Sequence, residues 1–173
     1  VDATYVDPKL QKNALTYGQN FLCVTINSAG LNAIQRNLEI SHPNVYYDNG
    51  KLGPIVYNKT AWGVTSLKIR LSGQKMAYFS KNPKAMNIFL YEDVVSPYFK
   101  DQFLVESWGK PGQEPMCEKK YPNFNVKLIN YTNKNIASSN RSVSFPQEED
   151  HSKWAISFTA SNKVACSADM NRA

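Results

Sequence analysis

Histidine, cysteine and long apolar runs are what this 173-residue chain has least of, and each shortage removes a class of function. Only His42 and His151 carry an imidazole, and Cys23, Cys117 and Cys166 include no Cys-x-x-Cys pair. A zinc site needs clustered Cys and His ligands, so no metal centre can be assembled here from a familiar pattern. No apolar run reaches the roughly 18–20 residues that a membrane-spanning helix requires, and there is neither an initiating Met nor a signal-peptide h-region. No internal repeat or low-complexity segment stands out. Acidic residues are the minority, fourteen against twenty Lys and Arg. The resulting charge of +6 and pI near 9.2 suit a polyanionic partner without demanding one.

What is present argues for a folded domain. With 42% hydrophobic and 12% aromatic residues, disorder is excluded. The length fits one domain over 1–173 that buries about two-thirds of its unfolded surface. Residues 1–13 are polar and contain Pro8, which reads as a linker entering from a preceding segment.

Residues 21–26 form a short run of apolar, aromatic and β-branched side chains and predict a buried strand. Ser28 is then a candidate helix cap, with Leu31, Ile34 and Leu38 at helical spacing up to His42-Pro43, which ends the helix. Strand followed by helix is the unit of an α/β layer. His42 reads as a helix-end residue outside any site, and residues 44–54 as turn and loop.

Leu67, Ile69 and Leu71 alternate with Ser66, Lys68 and Arg70, predicting a half-buried strand with a basic outer face. Residues 76–79 and 86–91 predict two further strands joined by a turn. Lys75, Lys81 and Lys84, with Tyr78 and Tyr91 nearby, could form a phosphate-binding rim. Ser96-Pro97 signals a helix start, with Phe99, Phe103 and Leu104 as the stripe of a helix ending near Trp108. Residues 109–115 read as a connector, 126–129 as a strand and 131–142 as an exposed loop. Residues 154–158 and 164–166 predict two strands around a turn at 159–162. The expected fold is α/β, a mixed sheet flanked by helices. Asn58, Asn130 and Asn140 each head a glycosylation sequon, which together with the cysteines favours a secretory-pathway product.

The stretch that carries chemistry is Asp150-His151-Ser152-Lys153-Trp154. A histidine and a lysine two residues apart project to one face of an extended strand, where they can hold a phosphate. Imidazole can attack phosphorus or pass a proton near neutral pH, and ammonium neutralises oxygens that gain charge in the transition state. After the acidic run Glu148-Glu149-Asp150, the competing reading is a solvated surface.

The longer context favours chemistry. Residues 149–154, followed by Cys166 and the segment to Arg172, resemble the second active-site segment of the deoxyribonuclease II family, acid endonucleases of the phospholipase D superfamily. Residues 16–24 and 43–46 carry a second resemblance, upstream and in the family's order.

The resemblance implies one half of a phospholipase D-like pseudo-dimer of two α/β halves, each contributing a His-x-Lys segment to a shared cleft. His151 and Lys153 match the second segment, and Asn171 matches the asparagine that follows it. By the same resemblance, the first-half histidine attacks phosphorus to form a phosphohistidine. The second-half histidine protonates the leaving 5′ oxygen, and water leaves a 3′-phosphate end. Lysines and amide donors supply the charge neutralisation that other nucleases assign to metals, so no cofactor is implied.

The family's first His-x-Lys segment would lie upstream of Val1, since no other exists here, and the family continues past Ala173 with at least one more cysteine. Cys117 and Cys166 could pair with each other or with downstream partners. Leu15 stands where the family often has a cysteine, leaving Cys23 free, and Ala168 where it usually has glycine. One imidazole cannot serve both attack and leaving-group protonation, so activity calls for the missing first half or a second copy of this chain in a homodimer.

The expected partner is DNA, with Lys68, Arg70 and Lys75 as candidate backbone contacts. The expected location is secreted or lysosomal, without membrane association. The alternative is a secreted, catalytically inactive homologue that binds DNA or a host partner. A phospholipid substrate is a third reading, but no membrane-binding amphipathic helix supports it.

Overall fold

The computed structural model describes residues 12, 22–45, 50–69, 73–107, 116–133 and 141–169, so the linker expected over 1–13 lies, except for Lys12, outside them. Helix α1 (Ser28–Ser41) begins where the Asn27 side chain accepts the Gly30 N–H at 2.8 Å, and ends where His42 turns left-handed ahead of Pro43. The predicted end therefore holds, while the cap is Asn27 and not Ser28. The buried face is Gly30, Ala33, Asn37 and Ile40, rotated from the expected Leu31, Ile34 and Leu38 stripe, which is half-buried.

Small residues face inward because α1 lies close against the antiparallel hairpin of β1 (Trp62–Lys68) and β2 (Lys75–Lys81). At the closest approach a Cβ on Gly63 would stand 2.6 Å from Ile40 Cδ1 and 2.7 Å from Asn37 Oδ1. Asn37 is tolerated inside because its amide is engaged: Ser80 Oγ donates to Oδ1 at 3.0 Å, and Nδ2 donates to the Tyr78 carbonyl at 3.4 Å.

The strand expected over 21–26 does not form in its described part. Residues 22–27 carry no regular structure, with Leu22 63% exposed, because an apolar run without a neighbouring ladder has nothing to hold it extended. The strand expected around Leu67–Leu71 starts earlier, at Trp62, and stops at Lys68, where Ile69 N bonds Gln74 O at 2.9 Å and Gly73 (φ 68°) carries the turn. Arg70 and Leu71 lie outside the described residues.

β2 covers the expected 76–79, but residues 86–91 are not the next strand: they turn into a π-helix (Leu90–Val95). Asp93 closes it, accepting the Phe89 N–H on its carboxylate and returning its own N–H to the Phe89 carbonyl, both at 2.8 Å. The long helix expected past Ser96-Pro97 is only α2 (Ser96–Phe99), ended by Lys100 at φ 55°, and β3 (Phe103–Ser107) follows.

Two buried side chains explain that break. Asn123 Oδ1 accepts from Ser96 Oγ at 2.8 Å and from Phe103 N at 2.9 Å. Asp101 accepts from Gln102 N at 2.8 Å, Thr159 Oγ1 at 2.6 Å and Asn162 Nδ2 at 2.7 Å. These bonds come from residues distant in sequence, which spacing alone cannot reveal.

β3 is inside a mixed four-stranded sheet of order β4 (Phe124–Asn125), β3, β7 (Lys153–Ser157) and β8 (Ala165–Ser167), with β3–β4 parallel and the other pairs antiparallel. The strands and turn expected over 154–166 are present within a residue or two. Phe103, Val105 and Ala155 pack on Leu90, Tyr91, Val94 and Val95 of the π-helix, forming the core. A separate hairpin joins β5 (Leu128–Asn133) and β6 (Arg141–Pro146). It includes the second half of the strand expected over 126–129 and takes in residues 131–133 and 141–142 of the expected loop, whose remaining residues lie outside the described ones. The architecture is thus mixed α/β, with few helices and three small sheets among the described residues.

Gly63→Ala should destabilise the chain by about 1–3 kcal/mol, the usual cost of overpacking, measurable by urea unfolding. For Asp101, burial pushes the pKa up, but the hydrogen bonds from Thr159, Asn162 and the backbone of Gln102 and Thr159 leave it below the usual carboxylate value. Its contribution is therefore fully present above pH ~4 and is lost as pH falls through the depressed value. Asp101→Asn should lower stability by about 1–3 kcal/mol near pH 6, with the difference from wild type shrinking toward pH 2.

Candidate active site

The approach to β7 is built by side chains that hold the backbone. Residues 147–149 make a 3₁₀ turn, anchored by Gln147 Nε2 on the Ser107 carbonyl at 3.3 Å and by Gln147 N on the Lys127 carbonyl at 3.2 Å. Asp150 then folds its carboxylate over Ser152, accepting the backbone N–H at 2.9 Å and the hydroxyl at 2.5 Å. His151 sits half-buried at the apex of that turn. The acidic run is therefore not only a solvated face, since Asp150 shapes the loop that presents the imidazole.

Lys153 is the first residue of β7 and only 8% exposed, with its ammonium reaching back to the His151 carbonyl at 2.5 Å. The two residues are thus brought together, but not as two side chains of one strand: only Lys153 is in the ladder. The Ala168 N–H bonds the Lys153 carbonyl at 2.9 Å, laying the end of β8 alongside.

Charges from several elements converge on Lys153. Burial lowers its pKa, opposed in order by Asp169, Asp150 and Glu106. Tyr78 on β2 belongs to the same field: burial raises its phenol, a hydrogen bond with Ser41 at the end of α1 lowers it, and Asp169 raises it. Glu106 on β3 is fully buried, with no hydrogen-bond partner on either carboxylate oxygen among the described residues. Burial, then Asp150 and Glu148, push it up to about 8, against a lowering by Lys153.

Sequence reading missed Glu106, Tyr78 as a neighbour of this segment, and Asp169. Glu106 fell in a presumed helix, and Asp169 was inside the quoted segment without a role. Asn171 lies outside the described residues.

Lys68 and Lys75 stand directly opposite each other at the turn end of the hairpin, both exposed. Strand parity puts them on the hairpin face opposite Tyr78, so they do not share its link to Asp169. Arg70 lies outside the described residues. The expected phosphate rim is not assembled: Lys81 is 4% exposed, with burial lowering its pKa, and Tyr91 is 2% exposed. Both belong to the interior. Lys84 stacks its ammonium 5.1 Å from the Tyr57 ring centroid.

Cys23, Cys117 and Cys166 are all free thiols, so the Cys117–Cys166 pairing considered from sequence is not formed. Burial raises the Cys166 thiol to about 11, which makes it a poor nucleophile. No group of three or more His, Cys, Asp or Glu among the described residues could hold a metal ion. The chemistry on offer is a half-buried imidazole whose own backbone carbonyl holds a desolvated ammonium, groups able to transfer a proton and bind an anion.

Compared with known proteins, residues 3–173 match the family model described as Deoxyribonuclease II. The chain is 27% identical over 170 residues to Deoxyribonuclease-2 of Caenorhabditis elegans, across 90% of this chain and 43% of that protein. It is 28% identical to Deoxyribonuclease-2-beta of Mus musculus, across 90% of this chain and 46% of the other, and 29% identical to Plancitoxin-1 of Acanthaster planci, across 92% and 46%. The chain therefore spans less than half the length of these relatives. No solved structure matches it.

Glu106 generates a stability prediction. Its folded-state pKa is raised, so the stability linked to its proton is complete below the usual glutamate value and is lost as pH rises toward about 8. Glu106→Gln should match wild type at pH 4 and exceed it at pH 9 by about 1–3 kcal/mol, seen as a Tm higher by several degrees.

Proposed function

Since the chain belongs to the deoxyribonuclease II family, we propose that it is a DNA endonuclease component, working at acid pH without a metal and supplying one of two His-x-Lys segments. The observation that carries this is Lys153, a cation kept almost wholly out of water against the His151 backbone. Burying an ammonium opposes folding, and a phosphate is the ligand that makes such a group useful.

In the proposed reaction, a histidine from the other half of the cleft attacks phosphorus. The P–O5′ bond breaks as a P–N bond forms, and His151 gives its proton to the departing O5′. Water then displaces the histidine, leaving a 3′-phosphate end. Lys153 neutralises the non-bridging oxygens in both steps, with Asn171 as an amide donor. The leaving-group acid must start protonated, which favours acid pH.

The other half is a first-half polypeptide or a second copy of this chain, in a phospholipase D-like pairing of two α/β halves. Secretion or a lysosomal location suits that pH. Asn58, half-buried with its Oδ1 accepting the Thr60 N–H at 2.9 Å, Asn130, exposed on β5, and Asn140 are the proposed glycan sites. No helix among the described residues is long and apolar enough to cross a membrane.

A second reading has its own support. Lys68 opposite Lys75 is a like-charge pair that is unfavourable unless an anion lies between, which suits a homologue that binds DNA or an acidic host partner without cutting. Assembled with its complementary half, the chain should degrade plasmid DNA near pH 5 in excess chelator. His151→Ala should lower the rate by about 10²–10⁴-fold, and the new ends should require phosphatase before polymerase can extend them. Chelator-sensitive cleavage would count against the nuclease reading. Salt-dependent binding without turnover, weakened by Lys68→Ala and Lys75→Ala but unchanged by His151→Ala, would favour the binding reading.

A further inference from the structure

Just past the end of β2, Asn82 is 3% exposed, and both polar atoms of its side chain are engaged. Its Oδ1 accepts the Tyr57 hydroxyl at 3.0 Å and the Lys84 N–H at 2.9 Å. Its Nδ2 donates to the carbonyls of Asn58 at 3.1 Å and Thr60 at 3.3 Å. The Asn58 N–H in turn bonds the Glu39 carbonyl of α1 at 3.0 Å. One interior amide therefore ties residues 57–60 to the segment leaving β2, and α1 holds both from behind.

What this buried framework presents at the surface is basic. The Lys84 ammonium stands 5.1 Å from the centroid of the Tyr57 ring. The His42 ring meets the same tyrosine at 5.7 Å between centroids, with the planes 82° apart. His42 is kept there by its left-handed backbone at φ 48° and by its N–H on the Leu38 carbonyl at 2.7 Å. Both side chains are exposed, as is Lys59 on the tied segment. Neither Lys84 nor His42 has a carboxylate within ion-pair distance among the described residues, where the salt bridge is Lys119–Asp93.

A neutral ring fixes the direction of an ammonium without cancelling its charge, as a carboxylate would. The Lys84 charge is thus held in place and still available to an anion, and the His42 imidazole adds an N–H donor. An aromatic side chain among exposed basic groups suits a nucleic-acid backbone, and a net charge of +6 favours a polyanion over a single small anion.

We propose that Lys84 and His42, arranged on Tyr57, form a binding station for the phosphate backbone of DNA, separate from the His151 segment. Its parts come from α1, residues 57–60 and the end of β2, none of them in the sheet that carries Lys153. The station extends the reading of DNA as substrate and rests on it. It holds the strand away from the bond being cut, and so acts on binding and not on the chemical step.

The test uses the full chain made without glycans, because Asn58 heads a sequon on the same segment. A fluorescent DNA duplex is titrated at pH 5 in chelator over a range of salt. Lys84→Gln should weaken binding about three- to tenfold whatever the sequence, and should shrink the slope of log affinity against log salt by about 1. Tyr57→Leu, which keeps Lys84 and His42 but removes their shared ring, should lose affinity by a similar factor. Tyr57→Phe, which keeps the ring, should bind within about twofold of wild type. His42→Asn, chosen because asparagine accepts a left-handed backbone, should bind more weakly. Lys163→Gln removes an equal charge from the exposed β7–β8 turn and should change neither affinity nor slope.

Wild-type DNA binding in Lys84→Gln, or a loss that Lys163→Gln reproduces, overturns the proposal. So does a polyglutamate peptide whose binding falls in Lys84→Gln while DNA binding does not, since the surface would then belong to an acidic protein partner. Native glycosylated chain that binds DNA no better than Lys84→Gln also overturns it. Loss of DNA binding in Lys84→Gln, without cleavage by the assembled cleft, would sink the nuclease reading and leave the station standing. Cleavage whose KM and kcat are both unmoved by Lys84→Gln would do the reverse.

Discussion

Strand β3 is the constraint on which the rest depends. It is paired on both edges, by β4 and β7, and four of its five residues are buried. Phe103 and Val105 enter the core against the π-helix, while Glu106, on the other face of the strand, pairs with Trp154, and Ser107 pairs with Lys153. Removing a fully buried phenylalanine such as Phe103 is worth about 3–5 kcal/mol, a large share of what a single domain has to lose. The same strand that organises the core therefore sets the register in which Lys153 begins β7.

Two buried carboxylates near this strand show how the surroundings decide a role. Asp101 and Glu106 are both almost without solvent. Asp101 meets the Thr159 hydroxyl, the Asn162 amide and backbone N–H groups, and its pKa falls below the usual value despite burial. Glu106 meets no donor, has acids nearby, and rises to about 8. The first is a fastening between the α2–β3 corner and the β7–β8 turn, and it remains charged into acid. The second is a charge the fold tolerates most easily when protonated. Satisfied hydrogen bonds mark structure, and a buried carboxylate without them is an exception that calls for a reason.

The α1–β1–β2 unit contributes differently. Its close packing at Gly63 and the Asn37–Ser80 bond make it firm, and from it Tyr78, hydrogen-bonded with Ser41, feels the charge of Asp169. The field around Lys153 is thus made by elements that are far apart in sequence.

The sequence by itself determined what depends on neighbouring residues. Pro43 ended α1, the apolar and aromatic runs at 76–79 and 154–158 marked β2 and β7, and the His-x-Lys segment with its flanks and the upstream match carried the family. These are local matters of backbone sterics, side-chain parity and a long motif. Only the tertiary structure decided that residues 103–107 are a strand, since Phe99 and Phe103 fit helical spacing equally well and the break depends on donors from Asn162 and Thr159 and an acceptor on Asn123. It likewise turned residues 90–95 into a π-helix and took Lys81 and Tyr91 out of reach of any phosphate. Above all it buried Glu106 within the sheet beside Trp154 of β7. Burial and electrostatic coupling are properties of assembled surroundings, and no spacing along the chain encodes which carboxylate will be left without a donor.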